Sequence, residues 1–211
     1  MIGKYLLSTA VAGLILLTPR AGASATISTF DSNDEGWTIT GDAQGGSVLP
    51  TYHATGGNPG GYVSATDNVQ GGVWYFKAGL QFHGDFSTGY GTDLTFDLRQ
   101  SGTHSQFDSV DVYVRGGGLE LTYDTASNPG TVWTSYGIEL TETAGWKLGG
   151  VPPTQAEMLQ VLADVTDMQI RGEFITGSDV GDLDNVVMVP GPAGLSLLAL
   201  GAPLLGRKRR R

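Results

Sequence analysis

Three stretches near the middle of the chain alternate apolar and polar residues with a period of two. In residues 94–99, Leu94, Phe96 and Leu98 alternate with Thr95, Asp97 and Arg99. In 110–115, Val110, Val112 and Val114 alternate with Asp111, Tyr113 and Arg115, and in 119–124 Leu119, Leu121 and Tyr123 alternate with Glu120, Thr122 and Asp124. A period of two sends neighbouring side chains to opposite faces, so each stretch predicts a half-buried antiparallel strand. Gly116, Gly117 and Gly118 separate the second from the third and predict a hairpin. Residues 132–140, 168–174 and 183–189 add further strands. One segment follows a different period. After Pro152 and Pro153, Thr154 and Glu157 have capping-box spacing, and Met158, Leu159, Leu162 and Val165 fall on one helical face. Glycine is densest over 41–91, which predicts long loops and turns there. The pattern describes one all-β domain with a single short helix covering one end, without internal repeats.

The two ends of the chain do not belong to that pattern. Residues 1–4 carry a positive charge, 5–17 are largely apolar, and Ala21, Ala23 and Ala25 offer small-residue cleavage positions. This is a secretory signal peptide over 1–25, handled by the Sec machinery. At the other end Val189, Pro190, Gly191, Pro192 and Ala193 precede an apolar run to Leu205 and then Arg207, Lys208, Arg209, Arg210 and Arg211. As a helix, residues 193–205 would reach roughly 20 Å, short of the ~30 Å of a bilayer's hydrocarbon layer. The basic end resists translocation and stays cytoplasmic. This tail over 189–211 resembles the PEP-CTERM sorting signal of Gram-negative bacteria. In that family a Val-Pro-Glu-Pro-Ala box, an apolar helix and arginines are processed by the membrane protease exosortase. Gly191 stands where the family has Glu. The resemblance implies transient contact with the inner membrane and delivery to the cell surface, outer envelope or extracellular matrix. An ordinary C-terminal membrane tail is the plainer alternative.

Removing both ends changes the charge. Of twelve Lys and Arg, only Lys77, Arg99, Arg115, Lys147 and Arg171 remain, against all twenty-one acids, a net of −16 instead of −9. Such a surface repels nucleic acid and anionic lipid and attracts divalent cations. There is no cysteine, so thiol chemistry and disulfides are excluded.

Residues 73–78 (Val73, Trp74, Tyr75, Phe76, Lys77, Ala78), then Phe82, His83, Gly84 and Asp85, then 94–98, resemble the start of a laminin B (laminin IV type A) domain. There an aromatic-rich W-Y-F-x-A-P segment leads to F-L-G-D and a strand. Later segments follow in order: 110–114, 118–121, 133–140, Gly145 with Trp146, the Thr154 helix, 168–172, and Leu183, Asp184, Asn185 and Val186. Gly79 replaces a common proline and His83 a leucine. The resemblance covers about 29–188. It implies a jelly-roll β-sandwich of the galactose-binding type over 26–188, usually a non-catalytic extracellular module.

Within such a sandwich the first and last strands lie close together. The acid-rich turns 31–35 and 179–184 are therefore expected to converge, with Asp31 and Asp184 as ligands of a structural calcium ion. Neither turn has the spacing of an EF-hand loop. Catalysis finds little support: His53, His83 and His104 lack metal-ligand spacing, and no G-x-S-x-G elbow occurs. Tyr52, Tyr62 and Tyr90 lie in glycine-rich context, with Asn58 nearby, and are candidate stacking platforms for a polysaccharide or exopolysaccharide. The tryptophans Trp37, Trp74, Trp133 and Trp146 are expected mostly in the core. A structural or protein-contact role in the envelope, without glycan binding, is the competing reading.

Overall fold

A computed structural model describes residues 25–43, 49–67 and 71–188. The stretches expected to be a signal peptide and a sorting tail, including Val189, Pro190, Gly191, Pro192, Ala193 and the terminal arginines, lie outside these residues. Among the described residues, twelve strands and one α-helix follow in chain order: β1 (Thr26–Ser28), β2 (Thr38–Thr40), β3 (Thr51–His53), β4 (Tyr62–Asp67), β5 (Tyr75–Lys77), β6 (Asp93–Gln100), β7 (Val112–Gly116), β8 (Leu119–Tyr123), β9 (Thr134–Glu139), β10 (Lys147–Leu148), α1 (Gln155–Leu162), β11 (Val165–Arg171) and β12 (Asp179–Met188).

They form two antiparallel sheets, a β-sandwich of jelly-roll type. The first has the order β3-β4-β12-β6-β9, with β1 also on β12; the second runs β10-β8-β7-β11-β5-β2. Alternation along the strands fills the space between the sheets. Leu94, Phe96 and Leu98 of β6, Leu183 of β12 and Val63 of β4 point inward from the first sheet. Val112 and Val114 of β7, Met168 and Ile170 of β11 and Phe76 of β5 do so from the second. Trp37, Trp74 and Trp146 are fully buried, as expected; Trp133 is half-exposed.

The predicted hairpin joins β7 to β8 through Gly117 and Gly118, both with positive φ. Thr154 caps α1: its Oγ1 accepts the Glu157 N–H and its own N–H donates to Glu157 at 2.7 Å. Met158, Val161 and Leu162 seal one end of the core against β7 and β8. Val165, expected on the helix, instead opens β11, where its N–H and carbonyl exchange bonds with Gly84. The glycine-dense region expected to be loops carries β3, β4 and β5. There the strand pairing satisfies backbone groups that the local propensity alone would leave to turns.

Arg171 is wholly buried, its guanidinium donating to Asp111 and to the carbonyls of Phe107, Ser109 and Glu173. Phe107 and Phe174 lie over the guanidinium carbon at 4.5 and 4.4 Å. This one side chain ties the 107–111 segment to the end of β11.

Candidate functional site

The outer face of the first sheet carries the cluster of aromatic, cationic and anionic groups best suited to a ligand. Strand register puts it there. Asp182 of β12 lies directly opposite Arg99 of β6 and Ser64 of β4, while Asp184 lies opposite Asp97. Directly opposed residues share a face, and residues two apart on one strand share it too. Arg99, Asp97, Asp182 and Asp184 therefore face away from Leu98 and Leu183. Just past Asp184 the β12–β6 register shifts, and Asn185 adopts a positive φ of 51°. A bulge of this kind re-aims a side chain; here Asn185 Nδ2 reaches Asp97 at 2.8 Å.

Arg99 is the centre of the cluster. Its Nε donates to Asp182 at 2.7 Å and its Nη1 to the Gly56 carbonyl at 3.3 Å. Its guanidinium carbon lies 5.0 Å from the centre of the Tyr62 ring and 4.4 Å from that of Trp133. Trp133 meets Tyr62 edge to face, and its indole N–H also donates to Gly56 O. His53 stacks on Tyr62 with ring centres 4.3 Å apart and planes 8° from parallel, its Nε2 bonded to Ser64 at 2.8 Å. The result is a row of four flat groups, His53, Tyr62, Arg99 and Trp133, each half-exposed.

The loop 54–61 folds over one side of this row and is held by acids. Asp184 accepts the Asn58 backbone N–H at 2.6 Å, Asp97 accepts Asn58 Nδ2 at 3.1 Å, and Asn185 Nδ2 also donates to the Asn58 carbonyl. Gly57 fits only as glycine: a Cβ there would lie 2.1 Å from the Gly61 carbonyl. Gly60 lies against Asp31, and Tyr52 donates its hydroxyl to the Asp31 carbonyl at 3.0 Å.

The expected residues thus divide. Asp31, Asp184, Tyr52 and Tyr62 are gathered around one loop. Tyr90 lies elsewhere, beside the 3-10 turn Ser87–Gly89, donating to Glu142. Tyr62 has His53 stacked on its ring and the Arg99 guanidinium over it, and the same guanidinium lies over the Trp133 ring. Sequence reasoning missed Arg99, Asp97, Asp182 and Trp133 as a group, and the available signal was Asp97 and Arg99 on alternate residues of one predicted strand.

The convergence of Asp31 and Asp184 does not by itself build a cation cage. Asp184 is fully buried, and its two oxygens accept the N–H groups of Asn58 and Asn185. A hard cation takes six to eight oxygens, and among the described residues no three carboxylate or imidazole groups stand close enough to share one. Burial pushes the Asp184 carboxyl up to about 6 despite those two N–H bonds, with Asp97 and Asp31 adding repulsion.

A second group of acids lies at another part of the fold. Asp67 of β4 and Asp179 of β12 are buried cross-strand partners. Burial pushes Asp179 up to about 6, and burial with the nearby charges of Asp67 and Asp42 pushes Glu173 up to about 7. Glu173 accepts the Trp74 backbone N–H at 3.3 Å, and Asp179 that of Phe174.

Comparison with known proteins adds to this geometry. The family described as Laminin B (Domain IV) matches residues 75–195. Laminin subunit gamma-1 of Xenopus tropicalis is 28% identical over 177 residues, 81% of this chain but 10% of that protein. The basement membrane proteoglycan of Caenorhabditis elegans is 27% identical over 113 residues, 51% of this chain and 3% of that protein. The chain therefore spans a tenth or less of these relatives. Among solved structures, the L4b domain of human laminin alpha-2 superposes with a TM-score of 0.64 at 17% identity, covering 81% of this chain and 99% of that one. A family 11 carbohydrate-binding module from Clostridium thermocellum, in complex with a β-1,3-1,4-mixed-linked tetrasaccharide, gives 0.53 at 11% identity over 81% and 98%. At these identities the likeness is one of fold.

Proposed function

Because this chain belongs to the laminin B (domain IV) family, we propose that it is a non-catalytic extracellular module that holds polysaccharide on the outer face of its first sheet. One observation carries the reading: the row of His53, Tyr62, Arg99 and Trp133, edged by Asp97 and Asp182. Flat rings stack on sugar rings, and neighbouring polar groups bond the hydroxyls. The fold likeness to a module solved with a bound tetrasaccharide supports the same choice. Delivery by the signal peptide over 1–25 and exosortase processing of the tail over 189–211 complete the proposal, with the producer's own exopolysaccharide as ligand.

The test is a pull-down of the purified protein on that exopolysaccharide and on a panel of neutral glycans, with calcium and with EDTA. Saturable binding that Trp133→Ala lowers at least about tenfold, the worth of roughly 1.4 kcal/mol, is expected. Loss of binding in EDTA, with a melting temperature that calcium raises in the unaltered protein but not in Asp31→Asn, supports a structural calcium at Asp31 and Asp184. Binding and melting temperature that ignore calcium refute that ion and leave the glycan face standing. For the tail, a peptide map of mature protein is expected to lack residues 195–207, and recovering them intact rules out processing.

A second reading draws on the named relatives, a laminin subunit and a basement membrane proteoglycan. In it the sandwich is a spacer or protein contact in an extracellular assembly, and no polysaccharide in the panel binds.

A further inference from the structure

We infer that this face selects neutral glycans and rejects anionic ones, an inference that rests on the platform reading above. Five basic residues lie between 26 and 188, and only Arg99 stands in the row. Lys77 and Arg115 both pair with Asp167 on the second sheet. Arg171 is buried against Asp111, and Lys147 belongs to β10 at that sheet's edge.

Arg99 is itself committed. A guanidinium recognises a carboxylate or sulfate by presenting two parallel N–H groups along one edge. In Arg99, Nε is given to Asp182 and Nη1 to Gly56, and its plane is lined by Tyr62 and Trp133. It lies over both rings, which themselves meet edge to face, and its charge is offset by Asp182. The surroundings are acidic: Asp97, Asp182 and Asp184 are buried beside it, and Asp31 lies across the loop. Charges held out of water are poorly screened by salt, so the face projects a negative field onto whatever lies on it. A neutral chain carries no charge for that field to repel. A uronate meets it as a like charge.

The experiment compares a neutral β-glucan with the same polymer oxidised at C6 to the glucuronan, each titrated into the purified protein at matched ionic strength. The expected result is binding of the neutral polymer and at least about fivefold weaker binding of the oxidised one, the equivalent of one like-charge contact of ~1 kcal/mol. Because these acids are held out of water, added salt should leave most of the gap in place. Asp182→Asn, which keeps the side chain's shape but releases the Arg99 edge, should narrow or reverse it, with a melting curve as the check on folding. Equal or tighter binding of the glucuronan by the unaltered protein overturns the inference while leaving a glycan platform in place. Binding of neither polymer removes the platform, and the inference with it.

Discussion

Gly172 shows how closely this core is packed. A Cβ at that position would lie 1.9 Å from Cζ3 of the buried Trp74 ring. Trp74 has no exposure and therefore no room to swing aside. Gly172→Ala should destabilise the domain by about 1–3 kcal/mol, the usual cost of overpacking, visible as a melting temperature lowered by several degrees. Gly137→Ala is the control: the nearest atom to a Cβ there is Thr95 Cγ2 at 3.9 Å, and the residue is exposed on β9. Its melting temperature should be unchanged or slightly higher, because alanine restricts the unfolded chain. Equal effects at the two sites would remove the packing argument. Residues of this kind cannot be recognised from sequence, because nothing local to a glycine reveals which distant ring lies against it. Arg171 is the same case, since its stretch reads as an ordinary strand end and its carbonyl partners come from 107–109 and 173.

At the level of elements, the strands with clean alternation, β6, β7 and β8, were legible together with their hairpin and the cap of α1. Alternation is a property of the segment itself and survives into the fold. The short strands β1, β2, β3 and β10 have too few residues to show a period, and partners distant in sequence hold them in place. Asp31 and Asp184 were legible as neighbours because the topology of a jelly roll implies it. The row beside them was not, since it depends on the register between β6 and β12 and on where loop 54–61 comes to rest. Tyr90, equally aromatic and equally close to glycines, went elsewhere for want of any such constraint in its own sequence. Helix α1 depends on a device that the sequence does reveal. Thr154→Ala removes the side-chain half of the capping box and should cost about 1 kcal/mol, measured by urea unfolding, with glycan binding unchanged because α1 packs on β7 and β8. A loss of binding would place the helix in the site and contradict the assignment.

Across the whole molecule, the buried acids set a pH dependence. Glu173 is pushed up to about 7, and Asp179 and Asp184 to about 6, while carboxyls in an unfolded chain titrate near 4. From about pH 4 to 7 the folded chain therefore holds protons that the unfolded chain has released, and stability falls as pH rises through that window. The melting temperature should be higher at pH 5 than at pH 8, and Asp179→Asn should flatten the difference. A melting temperature that rises between pH 5 and 8 would show that these carboxyls are ionised and compensated in the folded state.

The placement of β12 has a consequence for how the chain is made. The last strand of the described domain lies between β4 and β6 and also pairs with β1. While the ribosome is still upstream of residue 179, the first sheet is two separate halves, β3-β4 and β6-β9, with nothing between them. Both halves present open edges, and a few strands without their partners are marginal in water. The nascent polypeptide therefore has no finished sandwich to form until β12 has been made. Any step that needs the chain unfolded has until β12 emerges to act, because that strand joins the two halves of the sheet.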